Sequence, residues 1–357
     1  LVVSHAGAAV ASGSSRTGNS IMLKTFKFKA LAVAAVTSAG LSTALPAHAL
    51  VYAVSQNPIT NLTLVLTDLN SVVNSYLFTV TDLASLNGTT AANSESCGTA
   101  TTACNAGLGP VLAAGAVNVG TPTRLDANFA PLGSATGTSY SNANSEITTA
   151  ELVDGVATGI QQISESLLNG PSVASANTTI QSQTSLTQTV TGGGQLFLDF
   201  TGNPFLNVLV QDPACASGGC SAQSGLSTTF QINTGSTLGG TFGSVVFTPT
   251  GVAGSDCLVS GVFIGLGVMC TVVSDPFALN GTLPASVNGT NSTYSQSGAF
   301  GIRIDALPTS TIYNIALTAG TTTQISMPAP EPGALALVGI ALASLGVVAR
   351  RRQRKVS

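Results

Sequence analysis

Within residues 50–329, Asp199, Asp212, Asp256 and Asp275 are the side chains best suited to chemistry. Two carboxyl groups suffice to cleave a glycosidic bond, one as acid and one as nucleophile or base. Each also reads as a solvated turn residue, and Asp212-Pro213 and Asp275-Pro276 read as turns first. The stretch otherwise offers only Tyr and two arginines, since His5 and His48 both precede it and it contains no Lys. Without His there is no Ser-His-Asp or Cys-His nucleophile and no ordinary zinc site. Without Lys there is no Walker A lysine, Schiff base or Ser-Lys pair. Trp is absent and Tyr numbers five, which counts against flat aromatic platforms for sugars. No D-x-[DN]-x-[DN]-G loop occurs, so a calcium site would have to be assembled across loops. The expectation is a chain with no catalytic residues, no cofactor and no metal.

The six cysteines fall into near neighbours, Cys97 with Cys104, Cys215 with Cys220 and Cys257 with Cys270. An even count at short spacing suggests three local disulfides, although six cysteines permit about 15 pairings in principle. Six N-x-[ST] sequons, at Asn61, Asn87, Asn177, Asn280, Asn288 and Asn291, are read as turn or edge residues.

The elements that must position these groups follow a period of two. Leu62, Leu64 and Leu66 alternate with Asn61, Thr63 and Val65, and Leu196, Leu198 and Phe200 alternate with Phe197, Asp199 and Thr201. Further strands are expected at 76–81, 185–190, 205–210, 228–233, 244–248, 258–265, 268–273, 300–304, 311–317 and 323–327. Many short strands with Gly, Asn and Pro between them predict an all-β fold, an antiparallel β-sandwich or jelly-roll-like body over 50–327. One helix is expected, because Val156, Ile160, Ile163 and Leu167 recur at i, i+4, i+7 and i+11. A subdivision of the body, if there is one, falls near 170–194, between Asn169-Gly170-Pro171 and Gly192-Gly193-Gly194.

Charge sets the two ends apart from this body. The 357 residues carry 11 Lys+Arg and 14 Asp+Glu. Four of the cations precede residue 30 and five (Arg350, Arg351, Arg352, Arg354, Lys355) lie in the last eight. Residues 50–329 keep two cations, Arg124 and Arg303, against 13 anions, a net of −11. A body this anionic is repelled by phosphate backbones, which argues against nucleic-acid binding.

From Met22 three lysines precede an apolar run and then Ala47-His48-Ala49. This is the layout of a secretory signal peptide over 22–49 with an A-x-A cleavage site at Ala47 and Ala49. Residues 1–21 carry no pattern and read as translated upstream sequence or a mis-called start. At the other end Pro328, Pro330 and Pro332 block a helix from upstream, and the apolar or small residues 333–349 follow. At about 1.5 Å per residue that span covers about 25 Å, a short transmembrane helix. The basic tail 350–355 should stay cytoplasmic, which leaves the body outside.

In this order, Pro330-Glu331-Pro332, the span 333–349 and the cluster Arg350, Arg351, Arg352 resemble the PEP-CTERM sorting signal of Gram-negative bacteria that make exopolysaccharide. The resemblance covers 328–357 and speaks to destination rather than to the activity of the body. It implies a partner, exosortase, an integral membrane transpeptidase-like enzyme that processes such chains near the Pro-Glu-Pro motif. By the same resemblance Pro330, Glu331 and Pro332 are the recognition motif, 333–349 is a transient membrane anchor, and Arg350, Arg351 and Arg352 are the retention cluster. The expected route is export through the inner membrane, transient anchoring, then the cell surface or extracellular matrix. The expected function is that of a non-enzymatic surface or matrix protein associated with exopolysaccharide or biofilm. The alternative is a secreted carboxylate-dependent glycoside hydrolase or lyase acting on matrix polysaccharide.

Overall fold

The structure, a computed structural model, describes residues 50–67, 72–98, 112–113, 115–148, 157–169, 177–211, 215, 219–234, 242–252, 256–327 and 338–345. In chain order the strands are β1 (Leu50–Gln56), β2 (Ile59–Leu66), β3 (Val72–Leu86), β4 (Thr89–Gly98), β5 (Leu112–Ala113), β6 (Val117–Gly120), β7 (Tyr140–Ile147), β8 (Thr158–Asn169) and β9 (Asn177–Gly202). They continue as β10 (Phe205–Gln211), β11 (Ser221–Thr234), β12 (Gly243–Phe247), β13 (Cys257–Gly261), β14 (Met269–Ser274), β15 (Gly281–Ala285), β16 (Thr290–Ser295) and β17 (Gly298–Ser326). A single helical turn, α1 (Val262–Gly265), joins β13 to β14, and a helix, α2, covers 338–345. All the ladders between these strands are antiparallel, so the all-β expectation holds.

Two long strands organise the rest. β9 and β17 pair with each other along nearly their whole lengths, and the pairing slips between Ile304 and Thr311. At that slip Gly193 lies against the backbone of Pro308 and Thr309, closer than a side chain allows, so glycine permits the approach. Beyond it the first half of β9 pairs with β3 and the second half with β2. Likewise β17 pairs with β14 before the slip and with β11 after it. The glycines 192–194 are therefore a bend inside one strand. The segments 185–190 and 196–200, predicted as separate strands, are both parts of β9; 300–304, 311–317 and most of 323–327 are parts of β17.

One ladder runs β6–β7–β8–β1–β10–β16 and another β4–β3–β9–β17–β11–β12–β13. Side chains of β7 and β8 meet those of β3, β9 and β17 across the space between them, and Ser55 of β1 donates to the Gly225 carbonyl of β11, a layered packing that fits a sandwich. A large apolar cluster holds Leu62, Phe78, Leu186, Phe230, Ile315 and Leu317, and a second holds Val51, Leu168, Val208, Ile325 and Met327. A polar band lies between. Gln162 donates to Thr184 Oγ1 (2.9 Å) and to the Ala319 carbonyl (2.8 Å), Ser164 bonds Thr321 (2.8 Å) and Ser166 bonds Thr323 (3.2 Å).

The helix predicted from Val156 to Leu167 is instead strand β8. Its alternate face (Ile163, Glu165, Leu167) is buried under residues 121–139, and its inward face carries Gln162, Ser164 and Ser166. With both faces buried the period-two signal is lost, and the apolar residues that remain fall by chance at helical spacing. Ile160, Ile163 and Gly159 already disfavour a helix. Asn87-Gly88 makes the β3–β4 turn with φ of 52° and 81°, the two-residue loop with positive φ at both positions that suits the twist of a hairpin. The turn reading of Asn87 is thus borne out.

Candidate functional site

Of the four candidate acids, the structure brings two together. Asp256 sits just before β13 and Asp275 just after β14, and both carboxyl groups bind the loop that follows β12. The loop after β12 supplies the donors that hold them. Asp256 accepts from the Thr250 N–H (3.1 Å), the Val252 N–H (3.4 Å) and the Thr250 hydroxyl, and Asp275 accepts from the Gly251 N–H (3.0 Å). Burial pushes the Asp275 carboxyl up to about 6, with its neighbour Asp256 adding to the rise and the Gly251 N–H opposing it. Asp199 lies apart, exposed on β9 opposite Gly301, and Asp212 lies outside the described residues.

One disulfide adjoins this site, and another lies in the second apolar cluster. Cys257 bonds Cys270 across Cα atoms 6.0 Å apart, stapling β13 to β14 beside the acids, and Cys215 bonds Cys220 at 5.2 Å. Both pairings are those expected from spacing. Cys97 is disulfide-bonded, and its expected partner Cys104 lies outside the described residues. Among the described residues no group of three or more His, Cys, Asp or Glu is arranged to hold a metal ion.

A second polar centre was not found from sequence. Glu165, on the outer face of β8, is fully buried and accepts four hydrogen bonds, from the Tyr52 hydroxyl (2.7 Å), the Leu132 N–H (3.0 Å), the Gly133 N–H (2.8 Å) and the Arg124 guanidinium. Arg124 also donates to the carbonyls of Asn128 and Ala130, both at 2.8 Å. Burial lowers the Arg124 pKa while Glu165 pulls it back up. Burial also raises the Tyr52 and Tyr140 hydroxyls, with Glu165 adding to both. The network clips residues 121–139 onto β1, β7 and β8, while the Arg124 Nε is buried without a hydrogen-bond partner. The available signal was Arg124 itself, one of two cations in a body that would need a strong reason to bury one.

The other proposed site residues are at the ends. Ala47, Ala49, Pro330, Glu331, Pro332, Arg350, Arg351 and Arg352 lie outside the described residues. Within the span 333–349, residues 338–345 are helical with Val338, Ile340, Leu342 and Leu345 all exposed. Among the described residues no helix is long and apolar enough to cross a membrane. No family model, curated protein or solved structure matches the chain.

Proposed function

We propose that this is an exported, non-enzymatic surface or matrix protein whose C-terminal signal is processed by exosortase. The observation that carries the reading is the order of Pro330-Glu331-Pro332, an apolar span and Arg350, Arg351 and Arg352 at the C-terminal end, with a basic, apolar, A-x-A segment at the other. Support comes from 338–345, whose large apolar side chains are exposed, as a segment meant for lipid would have them. The body fits a passive role through the way it uses its polar groups. Glu165 and Arg124 are committed to each other, the Gln162 amide of β8 is committed to β9 and β17, and the β8 hydroxyls of Ser164 and Ser166 are committed to β17. A two-layer antiparallel body with disulfides at its loops suits life outside the cell, and exopolysaccharide is the partner class the sorting signal implies.

The test is the intact mass of the native protein taken from the cell surface without reduction. The expected mass begins near Leu50, ends near Pro330 and lacks two hydrogens for each disulfide. A mass that retains the arginine-rich tail, or a Glu331→Ala variant with unchanged mass and surface delivery, removes the exosortase reading.

A further inference from the structure

The turn that joins β13 to β14 presents apolar side chains to solvent. Along Gly261-Val262-Phe263-Ile264-Gly265-Leu266-Gly267-Val268-Met269, Ile264 is 67% exposed, Leu266 48% and Met269 60%. Phe263 and Val268 are buried instead, and the Phe263 ring meets that of Tyr313 at 6.3 Å. Gly243 leaves room for the Phe263 ring, since a Cβ there would lie 2.4 Å from it. Cys257–Cys270 closes the strands directly behind, so the turn is mounted firmly on the body. Four of its N–H groups are bonded locally: Val262 to the Phe242 carbonyl (3.1 Å), Leu266 to Val262 (3.2 Å), Gly267 to Ile264 (3.2 Å) and Val268 to Phe263 (3.0 Å). A Cβ at Gly265 or Gly267 would meet nothing within 4 Å, so the outer side of the turn stands in open space.

We infer that this turn is a lipid-contacting tip, which enters the headgroup–acyl boundary of a zwitterionic bilayer through Ile264, Leu266 and Met269. Charge is the first reason. Residues 257–274 contain no Asp, Glu, Lys or Arg. Asp305, the register partner of Met269, already accepts from Arg303 (2.9 Å) and from Gln195 (2.7 Å). The tip therefore leaves water without desolvating an ion. The body's net of −11 is repelled by anionic headgroups, so the lipid that matches the whole molecule is neutral. Hydrogen bonding is the second reason. Backbone groups that enter lipid must find partners inside the protein, and the four local bonds lower that cost. A partner that docks by strand addition needs the opposite, a row of free donors along an edge. Shape is the third. Ile264 and Leu266 project beside the open space at Gly265 and Gly267, a convex end rather than a groove that could hold a peptide. The inference concerns the body and makes no use of the sorting signal.

The chain contains no Trp, so one introduced at the tip reports from there alone. The experiment is fluorescence of the full exported chain carrying Ile264→Trp, mixed with phosphatidylcholine vesicles brominated on their acyl chains. Leu77→Trp, at an exposed position on β3, is the reference. The expected result is that Ile264→Trp emission moves to shorter wavelength and is quenched by the brominated chains, while Leu77→Trp emission is unchanged. Adding phosphatidylglycerol should weaken the quenching in dilute buffer, and salt should restore it. A second change in the Ile264→Trp chain, Leu266→Asp, is expected to weaken the partition of the tip about tenfold or more. Vesicle binding with an unquenched Ile264→Trp means that the protein is held through 333–349 and overturns the tip, as does the absence of any vesicle-dependent change. Quenching that strengthens with phosphatidylglycerol in dilute buffer overturns the choice of neutral lipid. A blue shift that grows with protein concentration without vesicles, together with a dimer mass by light scattering, gives the turn to a second copy and overturns the lipid assignment. Should Ile264→Trp fold poorly, Leu266→Trp decides by the same quenching criteria.

Discussion

Glu165 and Arg124 show how a nearly cation-free body uses the charge it buries. Taking both out of water is expensive, and the structure offsets that with four donors to one carboxylate and two carbonyls to the guanidinium. Removing one partner leaves the other charged and stranded. Arg124→Met is therefore expected to lower stability by about 3–5 kcal/mol, and a double change of Arg124→Met with Glu165→Leu to recover part of the loss, both read by urea unfolding. Glu146 is the opposite case. It is 6% exposed and its Oε2 has no partner, so burial raises its carboxyl pKa with nothing to oppose the rise. A raised folded-state pKa contributes stability that is full below the unfolded value of about 4.3 and disappears as pH climbs through the folded value. Glu146→Gln is thus expected to be more stable than wild type at pH 7 by about 1–3 kcal/mol, with the difference shrinking toward pH 4. Equal unfolding midpoints for the two proteins at both pH values would count against it.

At the scale of elements the bend shared by β9 and β17 decides how the ladders connect. A Cβ at Gly193 would meet the Thr309 Cα at 2.6 Å and the Pro308 carbonyl carbon at 2.7 Å, and backbone cannot move aside as a flexible side chain can. Gly193→Ala is expected to lose about 1–3 kcal/mol, against little change for Ala at Gly265, where nothing lies within 4 Å. Thermal unfolding of the two variants makes the comparison. The same bend explains what could be read from residues alone. Leu62, Leu64 and Leu66 were legible as a strand because one face is buried and the other is not. β7, Tyr-Ser-Asn-Ala-Asn-Ser-Glu-Ile, is buried along its whole length and β8 nearly so, with polar residues pointing inward, so neither shows an alternation of apolar and polar. β9 and β17 were seen as pieces because glycine and proline ordinarily end strands, whereas here Gly192–Gly194 and Pro308 face one another across a register slip. Asp256 and Asp275 were each nameable from sequence. Their shared hold on the loop after β12 was not, since it depends on β13 and β14 being stapled side by side by Cys257–Cys270.

For the whole molecule, charge governs what the body can approach. Between residues 50 and 329 the two cations face 13 anions, and the structure removes Arg124 from the surface altogether. Arg303 is left, 44% exposed and already paired with Asp305. A matrix protein with this field is repelled by a polyuronate or other anionic polysaccharide at long range, and it meets a neutral polysaccharide without that barrier. The repulsion acts over a distance set by salt, about 30 Å at 0.01 M and about 8 Å at 0.15 M. Adsorption of the processed body to a polyuronate film is therefore expected to be weakest in dilute buffer and to rise as salt approaches physiological strength. Adsorption to a neutral glucan film should change little over the same range. Arg303→Ala should leave the glucan curve where it is and move the polyuronate curve slightly toward repulsion, because it strands the Asp305 charge. A quartz microbalance comparing the two films decides the matter, and tightest polyuronate binding in dilute buffer would mean that a cationic surface exists which the sequence of the body does not supply.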